Sequence, residues 1–260
     1  MAVDKANILG LTFTQVDYML GLIKRNPREF LLSPACRQYL AKARFEKRKR
    51  AVTVHGDTSA GVMPGTVNHN RIQIDDGTFA SVGRTARLIN PVMSIDDVFF
   101  NAGKMQVLSI GPRTEMELMH LVGVGFQPEN VSAVDLISTS PWIDLGDMHA
   151  LPYPDRAFDV TISSWVLGYS REPQKAVDEM VRVTKDGGII AIGCTYNADV
   201  ANVDYKAEQE KIVGTIFRHV DQYRALIGPA LSRVYFRSEP EADHISGAVM
   251  LVGRIKHTSA

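Results

Sequence analysis

Cysteine is scarce in this sequence: Cys36 and Cys194 are the only two, they lie far apart, and neither has a partner at ligand-like spacing. That excludes a disulfide framework and a structural zinc site, and it fits a reducing compartment. Net charge is missing as well, because 29 basic residues balance 29 acidic ones. No whole-molecule field therefore draws in nucleic acid or an anionic membrane. No apolar run approaches the roughly 18 to 20 residues needed to span a bilayer. Met1 to Lys5 opens without the basic flank and apolar core of a secretion signal. The expectation is a soluble, cytoplasmic protein with no membrane span. No two histidines stand at i, i+4 with a third ligand nearby, so no metal site is expected. Internal repeats and low-complexity tracts are absent too.

What is present suits a globular chain of one or two domains, with 260 residues, 45% hydrophobic and 22% charged. The organising stretch runs from Met105 to Gly193. Met105 to Gly111 is an apolar run ending at glycine, and Ala133-Val134-Asp135, Gly146-Asp147-Met148, Phe158 to Ser164 and Arg182 to Gly193 follow it. Apolar runs that alternate with helix-like segments and end in Gly, Asp or Ser predict an α/β fold, in which helices cross over between parallel strands. Ligands of such sheets sit beyond the carboxyl ends of the strands. The polar residues there are the functional candidates.

The first 95 residues read as a helical and loop-rich module, and residues 96–260 as the sheet domain. Phe13, Val16, Met19, Leu20 and Ile23 recur at helical spacing up to Lys24, with Thr14 and Asp17 placed as a cap. A second helix is predicted from Ala35 to about Arg50. Its basic end, Lys47 to Arg50, reads more simply as a solvated face complementing the helix dipole than as a phosphate site. Residues 54–83, rich in Gly, Asn, Asp, Thr and Ser, predict a loop with one small hairpin around Arg71 to Ile74 and the turn Asp76-Gly77. Such a loop serves equally as a lid or a linker. Toward the carboxyl end, Val203 to Ile227 predicts a helix stopped by Gly228-Pro229. Arg233 to Arg237 and Gly247 to Ile255 predict an edge hairpin.

The chemistry gathers at the strand ends. Leu108 to Glu115, followed by apolar-spaced Met116, Leu118, Met119 and Val122, reads as strand, tight turn and helix; Gly111 permits close backbone approach, and the helix amino terminus suits a carboxylate or phosphate. A purely structural turn accounts for it as well. Asp135, about twenty positions on, suits the hydroxyls of a ribose, or a cap. In Gly146-Asp147-Met148-His149-Ala150-Leu151-Pro152-Tyr153-Pro154-Asp155-Arg156-Ala157-Phe158-Asp159, Asp147 suits an exocyclic amine and Met148 a purine face. Taken singly, a residue such as Met148 more often belongs to a core, and one such as His149 more often has a surface or supporting role than binds a metal.

This combined pattern resembles the class I S-adenosylmethionine-dependent methyltransferases, especially the small-molecule group with the signature Gly-Asp-x-x-x-Leu-Pro-aromatic-x-Asp-x-x-Phe-Asp. The likeness continues through Ser163 to Leu167, Pro173, Ala176, Glu179-Met180, Arg182-Val183 and Asp186 to Gly188, and it covers about residues 105 to 195. The terminal hairpin is similar to the family's antiparallel closing strand. The resemblance implies a Rossmann-like, mostly parallel sheet with an antiparallel last strand, S-adenosylmethionine as cofactor, and methyl transfer to a small-molecule or glycan-like acceptor. It implies that the loop of Gly111, Pro112, Arg113 and Glu115 faces the methionine part, and that Asp135 holds the ribose. Asp147 and Met148 would flank the adenine, with Ser164 and Trp165 beside the sulfonium.

Three departures from the family pattern accompany the likeness. Gly111 is followed by Pro112-Arg113-Thr114-Glu115 where the family alternates glycines, and proline removes a donor. Arg113 then suits the cofactor carboxylate, or a surface pair with Glu115. Only Leu136 to Gly146 separate Asp135 from Asp147, so the usual helix there is reduced to a turn. Gly168 and Tyr169 stand where many relatives carry histidine; Tyr169 suits substrate orientation or packing, and no catalytic residue is assigned. The degenerate loop motivates an alternative, a non-catalytic binding or assembly protein on the same fold. A nicotinamide-dependent oxidoreductase fits less well, because that fingerprint is also missing. Acceptor identity and self-association are left open by every stretch.

Overall fold

The structure, a computed structural model, describes residues 12–56, 61–63, 65–75, 85–197 and 214–257. Helix α1 (Phe13–Arg25) opens on Thr12, whose hydroxyl accepts the Gln15 N–H while the Gln15 side chain accepts the Thr12 N–H. The expected helix is present. Its cap is Thr12 rather than Thr14, because the backbone is still extended at Thr12 and already helical at Thr14. α2 (Arg28–Leu32) and α3 (Pro34–Lys47) follow, the latter with Ser33 as cap and Pro34 at its first position. A two-residue strand, β1 (Thr53–Val54), comes next.

Residues 66–75 are helical, α4 (Thr66–Asp75), where the sequence predicted a hairpin. The Ile72/Ile74 alternation is too short to separate a period of two from one of 3.6. What decides is Val67 and Ile74, two turns apart, which both pack with Ala41, Phe45, Met119 and Ile137. The Asp76-Gly77 turn and residues 203–213 of the expected late helix lie outside the described residues. α5 (Ala86–Met93) and α6 (Asp96–Asn101) lead into the sheet.

The sheet elements are β2 (Val107–Ile110), α7 (Glu115–Val124), β3 (Val131–Asp135), β4 (Ile137–Ser138), β5 (Asp144–Leu145), β6 (Phe158–Ser164), α8 (Pro173–Val183), β7 (Thr184–Asn197), α9 (Val220–Ile227), β8 (Leu231–Ser238) and β9 (Ser246–Ile255). Seven strands run in the order β5-β3-β2-β6-β7-β9-β8. β5, β3, β2, β6 and β7 are mutually parallel, and β9 is antiparallel to both β7 and β8. This is the expected Rossmann-like sheet with its antiparallel closing strand. The expected edge hairpin is present too, and its second strand is inserted beside β7. No helix stands between β3 and β5, as the short spacing required.

Side chains alternate across the sheet with period two. Val107, Ala133, Val160, Ile162, Ile189 and Ala191 join the core beneath α5, α6 and α7. Leu108, Ile110, Val134, Ile190 and Ile192 join the core beneath α8 and α9, as does Phe158, which the register shift between Phe158 and Val160 places on that face. Covering both faces leaves the sheet's carboxyl edge as its open functional rim. Leu88, Ile89 and Val92 of α5 are fully buried in the first of these cores, so the sheet's packing begins on the amino-terminal side of residue 95. Among the described residues no helix is long and apolar enough to cross a membrane.

Among the described residues, several contacts fasten the amino-terminal elements to the sheet domain. β1 pairs antiparallel with β4, so Thr53 faces Ser138 and Val54 faces Ile137. α2 crosses α7 at Gly123, where a Cβ would stand 3.0 Å from the Leu31 carbonyl carbon. Glu115, with 1% of its side chain exposed, binds Arg44 at 2.6 Å and Arg48 at 3.0 Å. Arg48 also donates to the Thr139 carbonyl at 3.1 Å. Arg44 and Arg48 near the end of α3 therefore tie the module to α7, while Lys47, Lys49 and Arg50 are exposed, as expected of a solvated basic face. Replacing Glu115 by Ala is expected to cost about 2–3 kcal/mol, because it removes the buried partner of Arg48 and of the Ser140 hydroxyl. Denaturant unfolding measures it, and a loss below about 0.5 kcal/mol would show the pairing to be incidental.

Candidate functional site

Five of the nine residues singled out in the sequence line one cavity at the carboxyl ends of β2, β3 and β5: Gly111, Arg113, Asp135, Asp147 and Met148. Ile110, Val134, Leu136 and Gly146 complete its floor. The turn after β2 is drawn tight by the Gly111 N–H, which donates to the Val134 carbonyl at 2.8 Å. Gly111 has φ 70° and Arg113 has φ 56°, both in the left-handed region. A Cβ on Gly111 would lie 2.2 Å from Val166 Cγ1, so only glycine fits.

Asp135 is the hub of this end of the sheet. Its Oδ2 accepts the Arg113 N–H at 2.8 Å and its Oδ1 accepts the Ile137 N–H at 3.2 Å. Burial pushes its carboxyl up, with the hydrogen bonds from Arg113 and Ile137 opposing. Each oxygen keeps a further lone pair for a ligand donor.

Asp147 is 9% exposed, and its Oδ1 accepts both the backbone N–H of His149 at 2.9 Å and the ring, Nδ1 lying at 2.6 Å. Burial raises its carboxyl, but the His149 hydrogen bonds outweigh that and hold it below the usual carboxylate range. His149 Nε2 lies 2.6 Å from the Ser170 hydroxyl, which also accepts the Glu172 N–H at 3.0 Å. Ser170 is fully buried, so this line of Asp, His and Ser positions Asp147 and offers no accessible nucleophile. His149 thus has the supporting role that was one of its sequence readings.

Four candidates point elsewhere. Pro112 is buried in the turn, outside the cavity lining. Glu115 turns away to Arg44 and Arg48 and accepts from the Ser140 hydroxyl, which corrects the expectation that it faces a ligand or pairs with Arg113. Trp165, with φ 62°, packs into the core beneath α5, where Gly193 and Leu88 adjoin, and not along the cavity. Ser164 is 6% exposed at the end of β6 and outside the lining. Arg113 donates through Nη1 to Gln73 Oε1 of α4.

Sequence reasoning missed the opposite wall. Val62, Thr66 and Asn70 line the cavity together with Val166 and Tyr169. Thr66 is 4% exposed, and the buried atoms Thr66 Oγ1 and Asn70 Oδ1 have no hydrogen-bond partner. The segment is held by Met63 N–H donating to the Tyr169 carbonyl at 3.1 Å and by Arg171 N–H donating to the Gly61 carbonyl at 2.7 Å. The i, i+4 spacing of Thr66 and Asn70 was the one available signal, and it appears only once the segment is known to be a helix. Also missed was Glu117, 2% exposed beneath the turn, which accepts from the Ser109 hydroxyl at 2.7 Å. Burial pushes its carboxyl up to about 7, the Ser109 bond opposing.

Residues 109–192 match the family model described as "Methyltransferase domain". The chain is 27% identical over 122 residues to ajmaline N-methyltransferase of Rauvolfia serpentina, a match covering 41% of this chain and 42% of that protein. It is 47% identical over 47 residues to demethylmenaquinone methyltransferase of Renibacterium salmoninarum, covering 18% of this chain and 20% of that one. The chain therefore spans less than half the length of either relative. Among solved structures, N-methyltransferase NodS from Bradyrhizobium japonicum, in complex with S-adenosylhomocysteine, is 15% identical, with a TM-score of 0.44 over 67% of this chain and 86% of that one.

Glu117 makes stability depend on pH. Its folded value near 7 exceeds the ordinary 4.5, so the favourable protonated form is fully present below 4.5 and is lost as pH rises through 7. Glu117→Gln keeps an acceptor for Ser109 and removes that loss. The variant is expected to gain about 3 kcal/mol over the wild type at pH 8 and little at pH 4. Thermal melts at the two pH values decide it, and an equal gain at both would sink the assignment.

Proposed function

With residues 109–192 forming a methyltransferase domain, we propose that the protein transfers a methyl group from S-adenosylmethionine to a small-molecule or glycan-like acceptor. The observation that carries this reading is the convergence of Gly111, Asp135, Asp147 and Met148 on one cavity at the sheet's carboxyl edge. The donor set suits the cofactor. Asp135, its carboxylate already oriented by two backbone N–H groups, has one lone pair on each oxygen for a pair of ribose hydroxyls. Asp147, held ionised and fixed in direction by His149, accepts from an exocyclic amine, and Met148 packs on the purine face. The missing Cβ of Gly111 lets the chain run close to the ligand.

When bound, the cofactor supplies an electrophilic methyl group on a sulfonium. The protein's part is to hold acceptor and donor in line and to exclude water, and orientation of this kind supplies a large share of such a barrier. Tyr169, on the cavity wall after β6, presents a ring and a hydroxyl for orienting the acceptor. The elements that precede the sheet close the opposite wall and are the natural place for acceptor selectivity.

Calorimetric titration with S-adenosylmethionine and S-adenosylhomocysteine tests the reading. The wild type is expected to bind both at one site, and Asp135→Asn to weaken both at least about tenfold while keeping its circular dichroism spectrum. Absence of saturable binding by the wild type at millimolar ligand would overturn it. Transfer of labelled methyl groups across an acceptor panel then identifies the substrate.

A further inference from the structure

The turn that resembles the family's glycine loop offers less than a run of glycines would. Pro112 lacks an N–H, and the Arg113 N–H is already spent on Asp135. The same cavity is lined by two residues of α4 whose buried polar atoms, Thr66 Oγ1 and Asn70 Oδ1, have no hydrogen-bond partner. Most buried polar groups in folded proteins are hydrogen-bonded, and an orphan on a cavity wall is a place where a ligand's polar group finds a partner. Two orphans one helical turn apart on the same face of α4 mark a surface built for one ligand.

α4 is held as a span. Its amino-terminal approach is fastened to the loop after β6 through Met63 and Tyr169, and its carboxyl-terminal turn to Arg113 through Gln73. Asn70, one turn before Gln73, therefore lies over the turn that carries Gly111 and Arg113. The cavity in this conformation encloses ≈ 50 Å³, room for a few waters only. A nucleoside-sized ligand needs more room than this, so its binding requires the lining to open.

We propose that α4 forms the roof of the cofactor site and that Asn70 Oδ1 and Thr66 Oγ1 bind the amino-acid tail of the ligand. The inference rests on the methyl-donor reading above. In that reading Asp135 takes the ribose and Asp147 with Met148 the purine, so the tail is the remaining polar part. Its ammonium needs acceptors, which Asn70 Oδ1 and the Thr66 hydroxyl supply, and its carboxylate suits the cationic side of the cavity at Arg113. An amino-terminal helix thereby takes over contacts that the degenerate turn gives up.

The test compares S-adenosylhomocysteine with 5′-methylthioadenosine, which keeps the nucleoside and lacks the amino-acid tail. Asn70→Ala and Thr66→Val are titrated with both ligands on the full chain, and thermal melts check that each variant folds. The expected result is a loss of at least about tenfold for S-adenosylhomocysteine in Asn70→Ala, a smaller loss in Thr66→Val, and unchanged affinity for methylthioadenosine. Equal losses for both ligands, or none for either, would overturn the roof contacts while leaving the methyltransferase reading in place. Failure of the wild type to bind either ligand would overturn both.

Discussion

The hydrogen bond from the Arg113 N–H to the Asp135 carboxylate organises the functional end of this molecule. A non-glycine residue in the left-handed region costs roughly 1–2 kcal/mol. A partly buried, charge-assisted bond of 2.8 Å is worth about as much. The bond joins the ends of β2 and β3 and points the remaining lone pairs of Asp135 at the cavity. It also sets the start of α7, which sends Glu115 outward to α3 and Glu117 inward beneath the turn. Loop, cavity floor and module docking all follow from one fixed turn.

The amino-terminal elements complete the site. β1 extends the segment after β3, α2 lies against α7 at a glycine, and Arg44 and Arg48 clasp Glu115. α4 packs against α3 through Val67 and Ile74, is tied to Tyr169 and Arg113 through Met63 and Gln73, and supplies part of the cavity lining. A sheet of this type needs something to exclude water from its open rim. Here Val62, Thr66 and Asn70, which precede the sheet, line the cavity at that rim.

The fold was legible because a parallel sheet covered on both faces writes itself as apolar runs with polar ends, as at Val107 to Ile110 and Phe158 to Ser164. Asp135, Asp147, Met148 and Gly111 were legible for the same reason, since they stand at the ends of such runs. Glu115 and Trp165 were misplaced because position beside a motif does not give side-chain direction. Glu115 begins a helix whose first turn faces α3, and Trp165, at a positive φ, turns its ring back into the core. α4 escaped because ten residues with Ile72 and Ile74 fit either period.

The sequence by itself determined the order of strands and crossover helices, the short connection after Asp135, and which residue types stand at the strand ends. Those are local properties, set by side-chain period and glycine placement along the chain. Only the tertiary structure decided that Thr66 and Asn70 line the same cavity as Gly111, that His149 is spent on holding Asp147, and that Arg44 and Arg48 pair with Glu115. Those outcomes depend on contacts between residues distant along the chain, where burial and the need to satisfy each buried polar group choose among partners that local pattern leaves equivalent.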